Sequence, residues 1–144
     1  DPFCINHLGV SYSSGEGVET DLVEAARLYQ IAADLGDVSA QYNLACSYAD
    51  GEGVKKDIKK AVEFYQMAVD QGDSSAQYNL GLCYATGDGV EQDLVKAAKL
   101  YQLAAVQGDE LAQYNLGHAY ANGNVCVLLL LLVSLVVVLL LLLC

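Results

Sequence analysis

The strongest constraint on the fold is that the chain repeats itself every 36 residues. Self-similarity at one fixed period of this size is typical of solenoids, in which each repeat is a supersecondary unit stacked on the next. The sequence AQYNL begins at Ala40, Ala76 and Ala112. We predict three complete repeats and one partial repeat, over residues 1–36, 37–72, 73–108 and 109–124.

Each repeat carries two apolar patterns with a helical period. In the third repeat, Ala76, Leu80 and Tyr84 are four residues apart, which places them on one face of an α-helix. The second half of the first repeat has the spacing of an amphipathic helix, with Leu22, Ala25, Ala26, Tyr29, Ala32 and Ala33. We therefore predict an all-α solenoid of 36-residue helix-turn-helix repeats.

Glycine and aspartate mark the helix ends. Gly87 and Gly89 separate the two helices of the third repeat, and glycine adopts the backbone angles of a tight turn at least cost. Asp73 and Asp93 precede those helices, where a carboxylate can accept hydrogen bonds from free backbone N–H groups. Gly108 follows the second helix and is predicted to end it.

This arrangement of residues resembles the Sel-one-like repeat, a relative of the tetratricopeptide repeat. Residues 81–116 fill in order the motif G-x-x-Y-x-x-G-x-G-V-x-x-D, then A-x-x-x-Y-x-x-A, then G-D-x-x-A-Q-Y-N-L. The resemblance covers residues 1–123. It implies a right-handed α/α superhelix whose concave face binds proteins or peptides.

The resemblance also implies a class of function, a non-enzymatic interaction scaffold or adaptor. Members of the family are adaptors in membrane-associated degradation, cell-wall assembly and signalling. The alternative is a secreted hydrolase of the β-lactamase type, whose repeats carry paired cysteines. Such pairing is missing from this sequence, since no two of its five cysteines share a repeat position: Cys4, Cys46, Cys83, Cys126 and Cys144. We expect these thiols to be free and buried.

Residues with catalytic or metal-binding chemistry do not form a recognisable pattern. His7 and His118 occupy different repeat positions and have no acidic or cysteine partner at catalytic spacing. Cys4 stands three residues before His7, but no second ligand pair completes a tetrahedral zinc site. No glycine-rich phosphate loop is present either. We predict no catalytic, cofactor-binding or metal-binding residues.

One polar residue recurs where a ligand could lie. Asn43, Asn79 and Asn115 place one side-chain amide on the first helix of successive repeats. One interpretation is that these amides hydrogen-bond the backbone of an extended peptide lying in the groove. We favour the alternative, in which each amide bonds a neighbouring turn and holds the repeats in register, since buried polar groups usually find partners within the protein.

The charge balance restricts the partners. The sequence has 7 basic and 18 acidic residues, a net charge of -11. Nucleic acids and anionic lipid surfaces require clustered Lys and Arg, so the predicted partners are proteins or peptides and not nucleic acids. The one basic cluster, residues 55–60, lies at a helix start and is predicted to be a solvated turn in preference to a docking patch.

The repeat pattern stops abruptly, and the segment from Val125 to Cys144 contains eleven Leu and six Val. Twenty helical residues span about 30 Å, the hydrocarbon thickness of a bilayer. We expect a hydrophobic helix that crosses a membrane once. The alternative of a capping helix that faces solvent is disfavoured, because such a helix needs a polar outer face and this segment has none. If the segment is foreign to the native protein, we expect a cytosolic location.

At the other end, Asp1 is in register with Asp37, so we also expect the sequence to begin inside a longer protein.

Overall fold

The computed structural model describes residues 1–121, and this range folds into seven α-helices and no strand. In chain order they are α1 (Pro2–Ser14), α2 (Leu22–Asp34), α3 (Val38–Asp50), α4 (Ile58–Asp70), α5 (Ser74–Thr86), α6 (Leu94–Val106) and α7 (Glu110–Ala121). The predicted all-α solenoid is confirmed. The predicted hydrophobic helix at 125–144 lies outside the described residues. No helix within the described range is long and apolar enough to cross a membrane.

The helices pack in chain order. Within the repeats, α1 packs on α2, α3 on α4 and α5 on α6. Between repeats, α2 packs on α3, α4 on α5 and α6 on α7. Extensive packing thus joins consecutive helices, which is how a solenoid buries a continuous core.

Aspartate caps begin the helices, as the sequence predicts. Asp37 Oδ1 accepts a hydrogen bond from the Ala40 N–H at 2.7 Å, and Asp73 makes the same bond with Ala76 at 2.7 Å. The second helices begin in the same way after Asp21, Asp57 and Asp93. Each carboxylate satisfies a backbone N–H group that the first helical turn leaves without a partner.

The turn between the two helices of a repeat is closed by one recurring hydrogen bond. In the second repeat, Gly51 ends α3 at a φ of 82°, and the Asp57 N–H donates to the Tyr48 carbonyl at 2.8 Å. The same bond joins Asp21 to Tyr12 and Asp93 to Tyr84. The cap of the second helix is therefore tied to the last turn of the first.

The core is a seam of alanines between repeats. Ala32 on α2 and Ala40 on α3 are both 0% exposed, and their cluster includes Leu44. Ala68 and Ala76 occupy the matching positions of the next interface and are also buried. Small side chains at both sides of a helix contact allow the two backbones to approach closely.

Inside a repeat, the two helices meet through a tyrosine ring and a glycine. A Cβ atom added to Gly9 would lie 2.7 Å from Cε1 of Tyr29, and one added to Gly81 would lie 2.8 Å from Cε1 of Tyr101. Small residues at this position allow the two helices to pack closely together. Ala45 holds the same position in the second repeat and is fully buried.

The turn glycines provide a test of repeat stacking. Gly53 and Gly17 share a positive φ, 70° and 77°, but only Gly53 touches the preceding repeat. Its added Cβ would overlap the backbone carbonyl of Leu22, whereas that of Gly17 would meet nothing within 4 Å. Left-handed backbone costs alanine about 1 to 2 kcal/mol in either variant. We expect Gly53→Ala to lower the free energy of unfolding by at least ~2 kcal/mol more than Gly17→Ala does.

The free energies of unfolding of Gly53→Ala and Gly17→Ala are measured by urea unfolding followed by circular dichroism. Equal losses in the two variants would show that the second turn does not pack on the first repeat, contrary to the structure.

Candidate functional site

The candidate site is a groove between the first helices of the second and third repeats. It lies between α3 and α5, α4 contributes to its lining, and its volume is about 510 Å³. The lining residues are Tyr42, Cys46, Ala49, Asp50, Ile58, Ala61, Tyr65, Asn79, Leu82, Cys83, Thr86 and Asp88. We call this cavity the interhelix groove.

The three asparagines all reach back to the preceding repeat. Asn43 Nδ2 donates to Asn6 Oδ1 at 3.0 Å. Asn79 Nδ2 donates to the Tyr42 hydroxyl at 3.3 Å, and Asn115 Nδ2 donates to a tyrosine at the matching position, Tyr78, at 3.4 Å. The partner in each case is a side chain on the preceding first helix, where the alternative interpretation expected a turn.

Of these asparagines, Asn79 lines the interhelix groove. Its bond to Tyr42 uses one of two amide N–H donors, and an amide also has a carbonyl oxygen that can accept hydrogen bonds. Peptide binding by Asn43, Asn79 and Asn115 stays a prediction.

Neutral polar groups lie in the centre of the groove. The Cys46 thiol and the Tyr65 hydroxyl are 3.5 Å apart and share a hydrogen bond. Burial raises the pKa of Tyr42 to about 12 and also raises the pKa values of Tyr65 and Cys46. All three therefore stay protonated at neutral pH, and Cys46 is a poor nucleophile.

Charge in the groove comes from acidic residues alone. Asp50 and Asp88 are exposed on its lining, and the lining contains no Lys, Arg or His. Apolar side chains such as Ile58 and Leu82 complete the surface. This composition suits an apolar side chain flanked by a positive charge.

The residues considered as metal ligands do not assemble into a site. Cys4 Sγ lies 3.8 Å from a carboxylate oxygen of Asp1, and the His7 ring packs 5.6 Å from that of Phe3. The ring of His118 packs against Tyr114 at the other end of the solenoid. Among residues 1–121, no three His, Cys, Asp or Glu side chains are grouped to hold a metal ion.

The sequence interpretation missed a second set of bridging amides. Gln71 Nε2 donates to Gln41 Oε1 at 2.9 Å and to the Gly36 carbonyl at 3.3 Å. In the next interface, Gln107 Nε2 donates to the Gly72 carbonyl at 3.0 Å and, within its own repeat, to Gln77 Oε1 at 2.9 Å. The signal was present, because a glutamine recurs directly after a buried alanine in each AQYNL segment.

These features define the class of protein, an α-helical repeat protein in which stacked helix pairs leave a groove between neighbouring first helices. A profile of the Sel1 repeat matches residues 2–37, 38–73, 74–109 and 111–127. The chain belongs to the Sel1 repeat family, the Sel-one-like repeat that its motif resembles.

Solved structures with the same fold come from several bacteria. One is the protective antigen c5321 of uropathogenic Escherichia coli, which displays an SLR fold. Its sequence is 38% identical to this chain and its structure matches with a TM-score of 0.83, over 85% of this chain and 26% of that chain. A Sel1 repeat protein from Oxalobacter formigenes is 34% identical with a TM-score of 0.82, covering 86% of this chain and 51% of that chain.

A third structure is similar in fold. The Helicobacter pylori cysteine rich protein B is 24% identical with a TM-score of 0.66, covering 77% of this chain and 86% of that chain. The chain thus spans about a quarter and about half of the lengths of the first two structures. None of the curated proteins matches the sequence.

The bridging role of Asn79 can be measured by a double-mutant cycle. Asn79→Ala and Tyr42→Phe remove the two sides of one hydrogen bond. We expect a coupling of about 0.5 to 1.5 kcal/mol in the free energy of unfolding, the net worth of such a bond.

The control pairs Asn79→Ala with Tyr78→Phe, because Tyr78 bonds Asn115 and not Asn79. The changes that these two substitutions cause in the free energy of unfolding should add. Additivity in the first cycle as well would mean that Asn79 does not tie the repeats together.

Proposed function

We propose that the protein is an interaction scaffold that binds a partner protein or peptide in the interhelix groove. Sel1 repeat proteins are typically protein-interaction scaffolds and are generally non-catalytic. The observation that carries the proposal is the groove itself, since it combines an apolar lining with the Asn79 amide. Main-chain hydrogen bonds with pockets for side chains are a recurring way of holding extended peptides.

The lining also supports a particular ligand chemistry. Ile58 and Leu82 offer contact to an apolar side chain, while Asp50 and Asp88 favour a neighbouring Lys or Arg. Exposed charges contribute modest affinity and improve selectivity between ligands. The preferred ligand is therefore a peptide segment with an apolar anchor beside a basic residue.

A charge reversal at the groove tests this proposal. Asp50→Lys changes the acidic lining, and Asp70→Lys is the matched control because Asp70 also ends a helix but lies outside the groove lining. Fluorescence anisotropy with a library of labelled peptides identifies ligands of the native chain. We expect Asp50→Lys to weaken binding of apolar-basic peptides by about 3- to 10-fold, the worth of one or two exposed charge pairs.

Asp70→Lys should leave the affinity within about twofold of the native value, since it alters only long-range charge. Equal weakening by both variants, or a preference for acidic peptides that Asp50→Lys leaves intact, would refute this ligand assignment.

We further propose that residues 125–144 anchor the scaffold in a membrane as a single span. The seventeen Leu and Val residues of this segment favour insertion by roughly 5 to 10 kcal/mol, and no charged residue opposes the transfer. In water, the same residues would expose a large continuous apolar surface. If the segment is foreign to the native protein, the scaffold is expected in the cytosol.

Fractionation tests the anchor. The chain with residues 125–144 should pellet with membranes and resist carbonate extraction, whereas truncation after Gly123 should release it to the supernatant. The truncated protein retains every helix described above. If the chain with residues 125–144 stays monomeric in the supernatant without detergent, the membrane span is ruled out.

A further inference from the structure

A second surface, which meets the interhelix groove at Ile58, carries most of the positive charge. Lys55, Lys56, Lys59 and Lys60 are four of the seven basic residues in the sequence. They lie in the turn before α4 and in its first helical turn, and all four are exposed.

The structure gathers these lysines around one concavity. Its volume is about 760 Å³, and we call it the lysine depression. It is lined by the four lysines with Tyr48, Val54, Asp57, Ile58 and Gly89. Gly89 belongs to the next repeat, so the depression lies at the junction of two repeats.

The lysine depression contains an aromatic surface as well as charge. The Lys60 ammonium lies 5.2 Å from the centre of the Tyr48 ring. That ring stacks on Phe64 with 5.9 Å between centroids and 5° between planes. The surface is therefore held in place by packing, which lowers the entropy lost when a ligand binds.

The fold does not require these lysines. The third repeat forms a smaller depression of about 450 Å³ at the matching place, where Lys96 lies 5.1 Å from the centre of the Tyr84 ring. The residues there that match Lys55, Lys56 and Lys59 are Glu91, Gln92 and Val95, and in the first repeat they are Glu19, Thr20 and Val23. The same turn thus forms with acidic, neutral or basic residues.

None of the four lysines forms an ion pair with another residue of the range 1–121. Among residues 1–121, the one ion pair joins Arg27 to Glu24, far from the depression in sequence. The nearby Asp57 caps α4, accepting a hydrogen bond from the Lys60 N–H at 3.2 Å. Four lysines within six residues repel one another, and this repulsion is relieved by an anionic partner.

We propose that the lysine depression docks a carboxylate-rich segment of a partner protein. Charge complementarity selects Asp and Glu side chains, and the Tyr48 ring offers contact to an apolar residue between them. The chain's net charge of -11 repels polyanions that extend beyond the depression, which disfavours nucleic acid. The docked segment contacts the lysines and Tyr48, none of which lines the interhelix groove.

Replacing the lysines with the residues of the third repeat tests the proposal while keeping a turn sequence that the fold already uses. This variant is Lys55→Glu, Lys56→Gln, Lys59→Val. The matched control, Lys96→Glu with Lys99→Glu, changes the net charge by the same amount elsewhere. The probe is a fluorescein-labelled peptide of alternating Glu and Leu, compared with its Gln counterpart by anisotropy on the full chain.

We expect the native chain to bind the Glu peptide and not the Gln peptide. The triple variant should lose at least tenfold in affinity, and the control should change it no more than about twofold because distant charges are screened. Circular dichroism checks that helicity is kept, and Lys56→Gln with Lys59→Gln replaces the triple variant if it is not. Asp50→Lys should leave this binding intact, which separates it from binding in the interhelix groove.

Several results would overturn the proposal. They are equal affinity of the triple variant and the native chain, equal binding of the Glu and Gln peptides, and tighter binding to phosphatidylserine vesicles or a single-stranded oligonucleotide than to the Glu peptide.

Discussion

The close contact of alanines between consecutive repeats is the constraint on which the rest of the structure depends. Ala32 and Ala40 at one interface, and Ala68 and Ala76 at the next, belong to buried clusters and have no exposed surface. Helix axes packed through such small residues lie at the short end of the usual range of about 8 to 10 Å. A larger side chain would push the repeats apart. The hydrogen bonds between repeats would then be too long to form.

Those hydrogen bonds form two series along the solenoid. The asparagines join first helices to first helices, as in Asn79 to Tyr42, and the glutamines join the end of a second helix to the preceding repeat, as in Gln71 to the Gly36 carbonyl. Each bond contributes about 0.5 to 1.5 kcal/mol net. Because the amides are planar and directional, they also set the rotation of each repeat relative to its neighbour.

Much of the fold could be predicted from the sequence because the signals are local. Helix period, Asp caps and turn glycines act within a few residues, and the structure agrees with them at Asp73, Gly87 and their counterparts. The partners of Asn79 and Gln71 in the preceding repeat could not be predicted, because a bond across 37 or 35 residues depends on the superhelical offset between repeats. That offset is a property of the packed helices.

The candidate binding surfaces show the same limit. The sequence identifies Asn79 as a recurring polar residue but gives no indication of the thiol and tyrosines beside it. The lysines at 55–60 look like an ordinary solvated turn until the structure places them around Tyr48 with no ion pair to another residue of the range 1–121. The interhelix groove and the lysine depression each take lining residues from two repeats, so neither is visible in a single repeat.

The hydrogen bonds between repeats join residues at the same sequence separation in each repeat, and this regularity affects how such a chain can change its length. A further 36-residue unit inserted at a repeat boundary would bring its own Asp cap, alanine seam, asparagine and glutamine, and every existing interface would keep its partners. Growth by duplication is therefore structurally neutral in this architecture. Substitutions at the turns can then give each copy a different surface charge, as the contrast between Lys55 and Glu91 already shows.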